Sequence, residues 1–105
     1  MKLIDRREAK TVMEKDGVLA RGLYDAPEAA VIHIEVAPGG EILPHVTPVD
    51  MEFFVLEGRG VFILGEQSRE AGEGILILSP RGVPHGMKNP GNSPLRVLPI
   101  KNPRP

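Results

Sequence analysis

Glycine and proline recur along this chain at short intervals, and nothing else in the sequence limits its fold so strongly. The 105 residues include 12 Gly and 11 Pro, over a fifth of the chain, spread along it and not gathered into one linker. Glycine interrupts regular structure through its conformational freedom, proline through its fixed φ and missing amide hydrogen. The segments between them are short, which favours strands over long helices.

Ala29 to Val36 reads as a strand by its β-branched content, with Ile32, Ile34 and Val36 on one face and His33 and Glu35 on the other. Ala37-Pro38-Gly39-Gly40 ends it. The apolar run Phe53 to Leu56 closes at the glycine-rich Glu57-Gly58-Arg59-Gly60, and Val61 to Leu64 is expected to pair back on it as a hairpin. Gly65-Glu66 turns the chain into a polar edge strand from Gln67 to Glu70. Ile75 to Leu78, Val83 to Lys88 and Leu95 to Ile100 supply further strands, with Pro80-Arg81-Gly82 as a turn. Residues 5 to 15 are expected to form a short helix, begun by Asp5 and stopped near Gly17. Roughly eight to ten short strands favour an antiparallel sandwich or barrel. With three Phe, one Tyr and no Trp, its core must be mostly aliphatic. A chain of this length is expected to make one domain, residues 1–105, because a second core would be too small.

The charge pattern argues against several classes of partner. With 13 basic and 14 acidic side chains, and no basic stripe, nothing favours nucleic acid or a membrane surface. Apolar stretches are far shorter than the ~20 residues of a membrane span, and Met1 to Glu8 lacks the apolar core of a secretion signal. A cytoplasmic location is the expectation. There is no cysteine, so disulfides, thiol catalysis and thiolate zinc sites are excluded together. His33, His45, His85 and four methionines are the remaining nitrogen and sulfur donors.

Two of these histidines share a local plan. Gly39-Gly40-Glu41-Ile42-Leu43-Pro44-His45 and Gly82-Val83-Pro84-His85 each place an imidazole directly after proline, near the start of an expected strand. That location suits the mouth of a barrel. Gly74 to Asn89 reads G-x5-P-x-G-x2-H-x3-N, with Gly74, Pro80, Gly82, His85 and Asn89 filling each named place. This resembles the second conserved motif of the cupin superfamily. The first motif of that family, G-x5-H-x-H-x3-4-E-x6-G, is matched in part: Gly39 and His45 fit, and Thr47 stands at the second histidine place. Together the motifs span residues 39 to 89, about half the chain.

The resemblance implies an all-β antiparallel jelly roll, or double-stranded β-helix, with a ligand set converging inside it. Carried over residue by residue, that set is His45, His85 and Glu52. Two imidazoles and a carboxylate suit Fe, Mn, Zn or Ni, with coordination places left for water or substrate. The acidic position has two readings. Counting forward from Thr47 gives Glu52, while counting back from Gly58 gives Met51, and strand alternation sends these two to opposite faces. If Met51 faces inward, Phe53 and Val55 go with it; if Glu52 does, Phe54 and Leu56 follow.

Asp50 is a spare carboxylate on the same loop, and Thr47 a weak neutral ligand or hydrogen-bonding neighbour. Met51 and Met87 with the histidines would make a softer, copper-type set, although methionine inside a barrel is more often filler. His33 reads as a surface or dimer-interface residue, and Asn89 as the cap of a turn with Pro90-Gly91.

Three functions follow as expectations. The pocket holds a divalent metal acting on a small organic molecule, or it binds a small ligand without turnover, or a histidine acts as a metal-free general base. Apolar side chains outside the barrel, Phe54 and Leu56 or Phe53 and Val55, point to a homodimer.

Overall fold

A computed structural model describes residues 1–103. Among the described residues the regular structure consists of ten strands: β1 (Lys10–Lys15), β2 (Val18–Ala26), β3 (Ala29–Val36), β4 (Glu41–His45), β5 (Met51–Glu57), β6 (Arg59–Leu64), β7 (Gln67–Gly72), β8 (Leu76–Ser79), β9 (His85–Lys88) and β10 (Leu95–Lys101). They form a six-stranded sheet in the order β1-β2-β3-β10-β5-β8 and a four-stranded sheet in the order β4-β9-β6-β7. Each neighbouring pair is antiparallel. The inner faces meet over an aliphatic core in which Val36, Val55, Leu95 and Val97 are fully buried. This is the jelly roll that the motif resemblance implies, and it meets the broader expectation of a sandwich or barrel from the turn-rich sequence.

The sheets are joined where the two motifs meet. Asn89 is 1% exposed. Its amide nitrogen donates to the Val36 carbonyl at 2.9 Å and the Ser93 carbonyl at 2.8 Å, and its amide oxygen accepts from Gly91 N at 3.1 Å. The last of these is the turn cap read from the sequence. Asn89 also bonds through its backbone to Gly39 (2.8 Å) and Gly40 (3.0 Å). A buried amide with every group partnered rigidifies its surroundings, while one left open would be expensive.

Two expectations about the secondary-structure elements fail, for different reasons. Residues 5 to 15 form no helix. Asp5 does start a turn, accepting from Arg7 N at 2.8 Å and from Glu8 N at 3.0 Å, but the turn does not propagate. The segment has no apolar stripe for a helix to bury, and an isolated short helix is marginal. Extended, it pairs along β2 as β1 and packs Met13 against the core. Asp16 and Gly17, both at positive φ (53° and 78°), join the two strands; this Asp-Gly pair is a hairpin turn, not the end of a helix.

The second failure is the hairpin expected between Phe53–Leu56 and Val61–Leu64. β5 has β10 and β8 as neighbours, whereas β6 pairs with β7 and β9 in the other sheet. The chain crosses between sheets at Gly58, whose φ is +83° and whose missing Cβ would collide with the Pro94 carbonyl oxygen. The edge strand expected at Gln67 to Glu70 does lie at a sheet edge, as β7.

His33 is not a surface residue; it is 6% exposed. It lies on the outer face of β3, across from Arg21. The Arg21 guanidinium holds the N-terminal turn over this face by donating to the carbonyls of Arg6 (3.2 Å) and Arg7 (2.6 Å). Further along the face, Arg96 pairs with Glu35 at 3.1 Å and with Glu57.

Gly58→Ala should lower the unfolding free energy by about 2–4 kcal/mol, because φ strain adds to a backbone collision. Gly39→Ala has a similar φ of +85° and open space at the Cβ position, and should lose only about 1 kcal/mol. Urea denaturation of the two variants checks the contrast.

Candidate functional site

The site begins with an irregularity in β4. In the pairing of β4 with β9, Ile42 stands opposite Met87 and His45 opposite His85, so β4 spends one extra residue across Leu43-Pro44. Without that bulge, strand alternation would turn His45 away from the face that carries Ile42, Met87 and His85. Proline tolerates the position because it has no ladder hydrogen to lose. β9 answers with glycine: a Cβ on Gly86 would stand 2.6 Å from the Ile42 carbonyl oxygen and 2.9 Å from Pro44 N. His45 therefore sits at the end of its strand, not near its start as expected from the sequence. Antiparallel pairing brings it to the same edge as His85.

The two rings pack edge to face with centroids 4.5 Å apart, and Phe53 packs against His85 at 5.3 Å. They close one side of a cavity of about 370 Å³. Ile42, Gly86 and Met87 complete that wall, while Met13, Ala20, Ile32, Ile34, Met51, Phe53 and Pro99 come from the facing sheet. Thr47 and Lys101 are its other polar neighbours.

Each imidazole has a partner at Nδ1. His85, 4% exposed, lies 3.2 Å from the buried Ser79 hydroxyl. His45 is exposed, and its Nδ1 is 3.3 Å from the Leu43 carbonyl. A carbonyl only accepts, so His45 donates from Nδ1 and its neutral form keeps Nε2 as the basic nitrogen. Ser79 was not anticipated. It occupies an unspecified place just before Pro80 of the motif, and its partnership with His85 spans the Pro80-Arg81-Gly82 turn. Burial lowers the His85 pKa below its ordinary value, and the nearby charges of His45 and Lys101 act in the same direction, against a hydrogen bond donated to the Val83 backbone.

The choice between Met51 and Glu52 is decided by burial. Met51, Phe53 and Val55 are 5%, 4% and 0% exposed, while Glu52, Phe54 and Leu56 lie on the other face. Met51 lines the cavity with the histidines; Glu52 lines a separate outer hollow with Asp50, Leu78 and Pro80. The expected His45, His85, Glu52 ligand set is therefore not assembled. Asp50 does not replace Glu52, because its carboxylate accepts from Arg81 N at 2.9 Å and fastens the Pro80-Arg81-Gly82 turn. This bond is also the main reason its pKa is lowered. Thr47 reaches the cavity, with its hydroxyl donating to the Val49 carbonyl at 3.1 Å.

No three His, Asp or Glu side chains among the described residues are placed to hold one metal ion. Sites for Fe, Mn, Zn or Ni ordinarily need at least three such donors, so the residues present do not fit a resident divalent metal. Met51 and Met87 line the same cavity as the histidines, where they act as apolar wall.

A family model described as the cupin domain matches residues 32–101. The chain belongs to the cupin family. This cupin is 32% identical to an uncharacterized protein of Methanocaldococcus jannaschii over 95 residues, 85% of this chain and 76% of the relative. It is similar to the solved structure of the polyketide cyclase RemF from Streptomyces resistomycificus, with TM-score 0.85, 29% identity, and coverage of 99% of this chain and 80% of that one. A double-stranded β-helix protein from Klebsiella pneumoniae, at 19% identity, shares the fold with TM-score 0.84 over 98% of this chain and 90% of its own.

Burial is also the first cause of a lowered pKa at His33, with the charge of Arg6 next. For both buried histidines the unfolded chain, near the ordinary value of 6.5, takes up a proton before the folded one does. Their contribution is intact above that pH and is lost as pH falls below it, at up to about 1.4 kcal/mol per pH unit for each residue. Urea denaturation between about pH 7.5 and 5 should give declining stability, and His85→Gln should flatten part of the slope.

Proposed function

We propose that this cupin binds a small, mainly apolar organic molecule in the cavity between its sheets, with His45 and His85 as the polar end of the site. The observation that carries the reading is the cavity itself: about 370 Å³, within the range of small-molecule sites, with aliphatic, methionine and phenyl walls and a few convergent polar groups. The likeness to a polyketide cyclase at 29% identity favours an organic ligand of this kind. With Nδ1 of His45 held by the Leu43 carbonyl, its Nε2 is free to accept a proton from a bound molecule, so general-base chemistry without a metal is the reaction class that the side chains favour.

The metal-dependent alternative needs a third ligand that neither Glu52 nor Asp50 supplies from its place in the fold. Fluorescence titration with the neutral probe α-naphthylmethanol tests the proposal. Saturable binding is expected, unaffected by chelator and weakened about tenfold or more when Ala20→Leu fills the cavity. Elemental analysis of protein purified without chelator should find metal well below one ion per chain. Stoichiometric metal lost in both His45→Ala and His85→Ala would replace this reading with the metal-dependent one.

The homodimer expectation also stands as a proposal. Leu56, Leu76 and Leu78 are 39%, 52% and 65% exposed, and the latter two belong to β8, an edge strand with one side unpaired. A second copy covering this edge would protect both apolar side chains and free backbone groups. Light scattering at micromolar protein should give the mass of a dimer, with Leu78→Lys shifting it toward the monomer.

A further inference from the structure

The charge around the cavity is one-sided. His45, His85 and Lys101 stand at it, and no aspartate or glutamate is among its described lining residues. Strand parity explains both facts. Leu95, Val97 and Pro99 face the core from β10, so Lys101, two residues further on, takes the same face and reaches the cavity. On β5, next to it, Glu52 is turned outward by the same alternation that turns Met51 inward.

Lys101 pairs across its strand with Ala30 of β3 on one side and with Met51 of β5 on the other. It is half-buried and makes no ion pair among the described residues. It lines the same cavity as His45 and His85, so the ammonium and the imidazole pair border the same space. A lysine stem can lie along apolar surface with its charged end at the rim, the posture that β10 gives it here.

We infer that the ligand of this cavity is an apolar molecule bearing one anionic oxygen group, a carboxylate or an ionised phenol or enol, which Lys101 recognises. This rests on the cavity being a ligand site and adds the chemical class of its ligand. A carboxylate entering an otherwise apolar space needs charge-assisted donors to offset its lost hydration. The Lys101 ammonium can provide them, and no acid of the lining repels it. A cationic ligand would find no counter-charge there. The competing use of Lys101 is the adjoining hollow, which shares Val12, Ile32 and Lys101 with the cavity and includes Asp25.

Three naphthalene probes of one shape and different charge separate these possibilities: α-naphthoate, α-naphthylmethanol and α-naphthylmethylammonium. The chain has no Trp and one Tyr, so naphthalene emission can be followed over little protein background. Wild type should bind the carboxylate about tenfold or more tightly than the alcohol, as expected for a charge-assisted contact, and the ammonium most weakly. Lys101→Met should remove most of that preference for carboxylate over alcohol, and Lys101→Arg should retain it. Circular dichroism and urea denaturation matching wild type report that each variant is folded. Equal affinity for carboxylate and alcohol, or a preference that survives Lys101→Met, would overturn the inference and leave the apolar site standing. Failure of all three probes would sink both.

Discussion

Asn89 holds the end of one motif against the beginning of the other. Its side chain reaches from the end of β9 to the Val36 carbonyl at the end of β3 (2.9 Å), and its backbone bonds to Gly39 and Gly40. The interaction is buried and complete, so it joins the two sheets at the end remote from the histidines with little freedom for either to slide. Buried polar groups behave this way when each donor and acceptor is used, because any shift would leave one unpaired in a low-dielectric interior. With β9 anchored, its pairing with β4 fixes where His45 arrives. The bulge at Leu43-Pro44 and the closeness of Gly86 then bring that ring against His85.

Strand parity sets the chemistry of the cavity. A strand has two faces and no intermediate choice, so Met51 and Glu52 cannot both point inward. Burial favours the sulfur-bearing and aromatic set, Met51, Phe53 and Val55, and leaves the carboxylate outside. One residue thus separates a carboxylate-bearing cupin cavity from a greasy one with two histidines and a lysine. The same rule, acting on β10, brings Lys101 in behind Pro99.

Much of the scaffold was legible in the sequence. The strand at Ala29 to Val36 has the expected bounds and faces, and the runs at residues 53–56, 61–64, 75–78 and 95–100 each fall largely within a strand. The motif from Gly74 to Asn89 identified the fold. Legibility failed where local signals had two meanings. Gly17 serves equally as a helix stop or as half of a hairpin turn, and only the empty edge of β2 made the second pay. A glycine-rich turn after β5 looks the same whether the chain pairs back or crosses to another sheet. His33 looked exposed because nothing local announced that Arg21 would hold the N-terminal turn over it. Ser79 carried no motif signal at all.

The sequence by itself determined the class of fold, the position of the two imidazoles next to proline, and the absence of thiol chemistry, because composition, punctuation and spacing act locally. Tertiary structure decided which face each strand presents, that His45 and His85 meet, that Glu52 stays out, and that Lys101 comes in. Those outcomes depend on the register between strands distant in the chain and on one extra residue in β4. Register is fixed only when the sheets close over a common core.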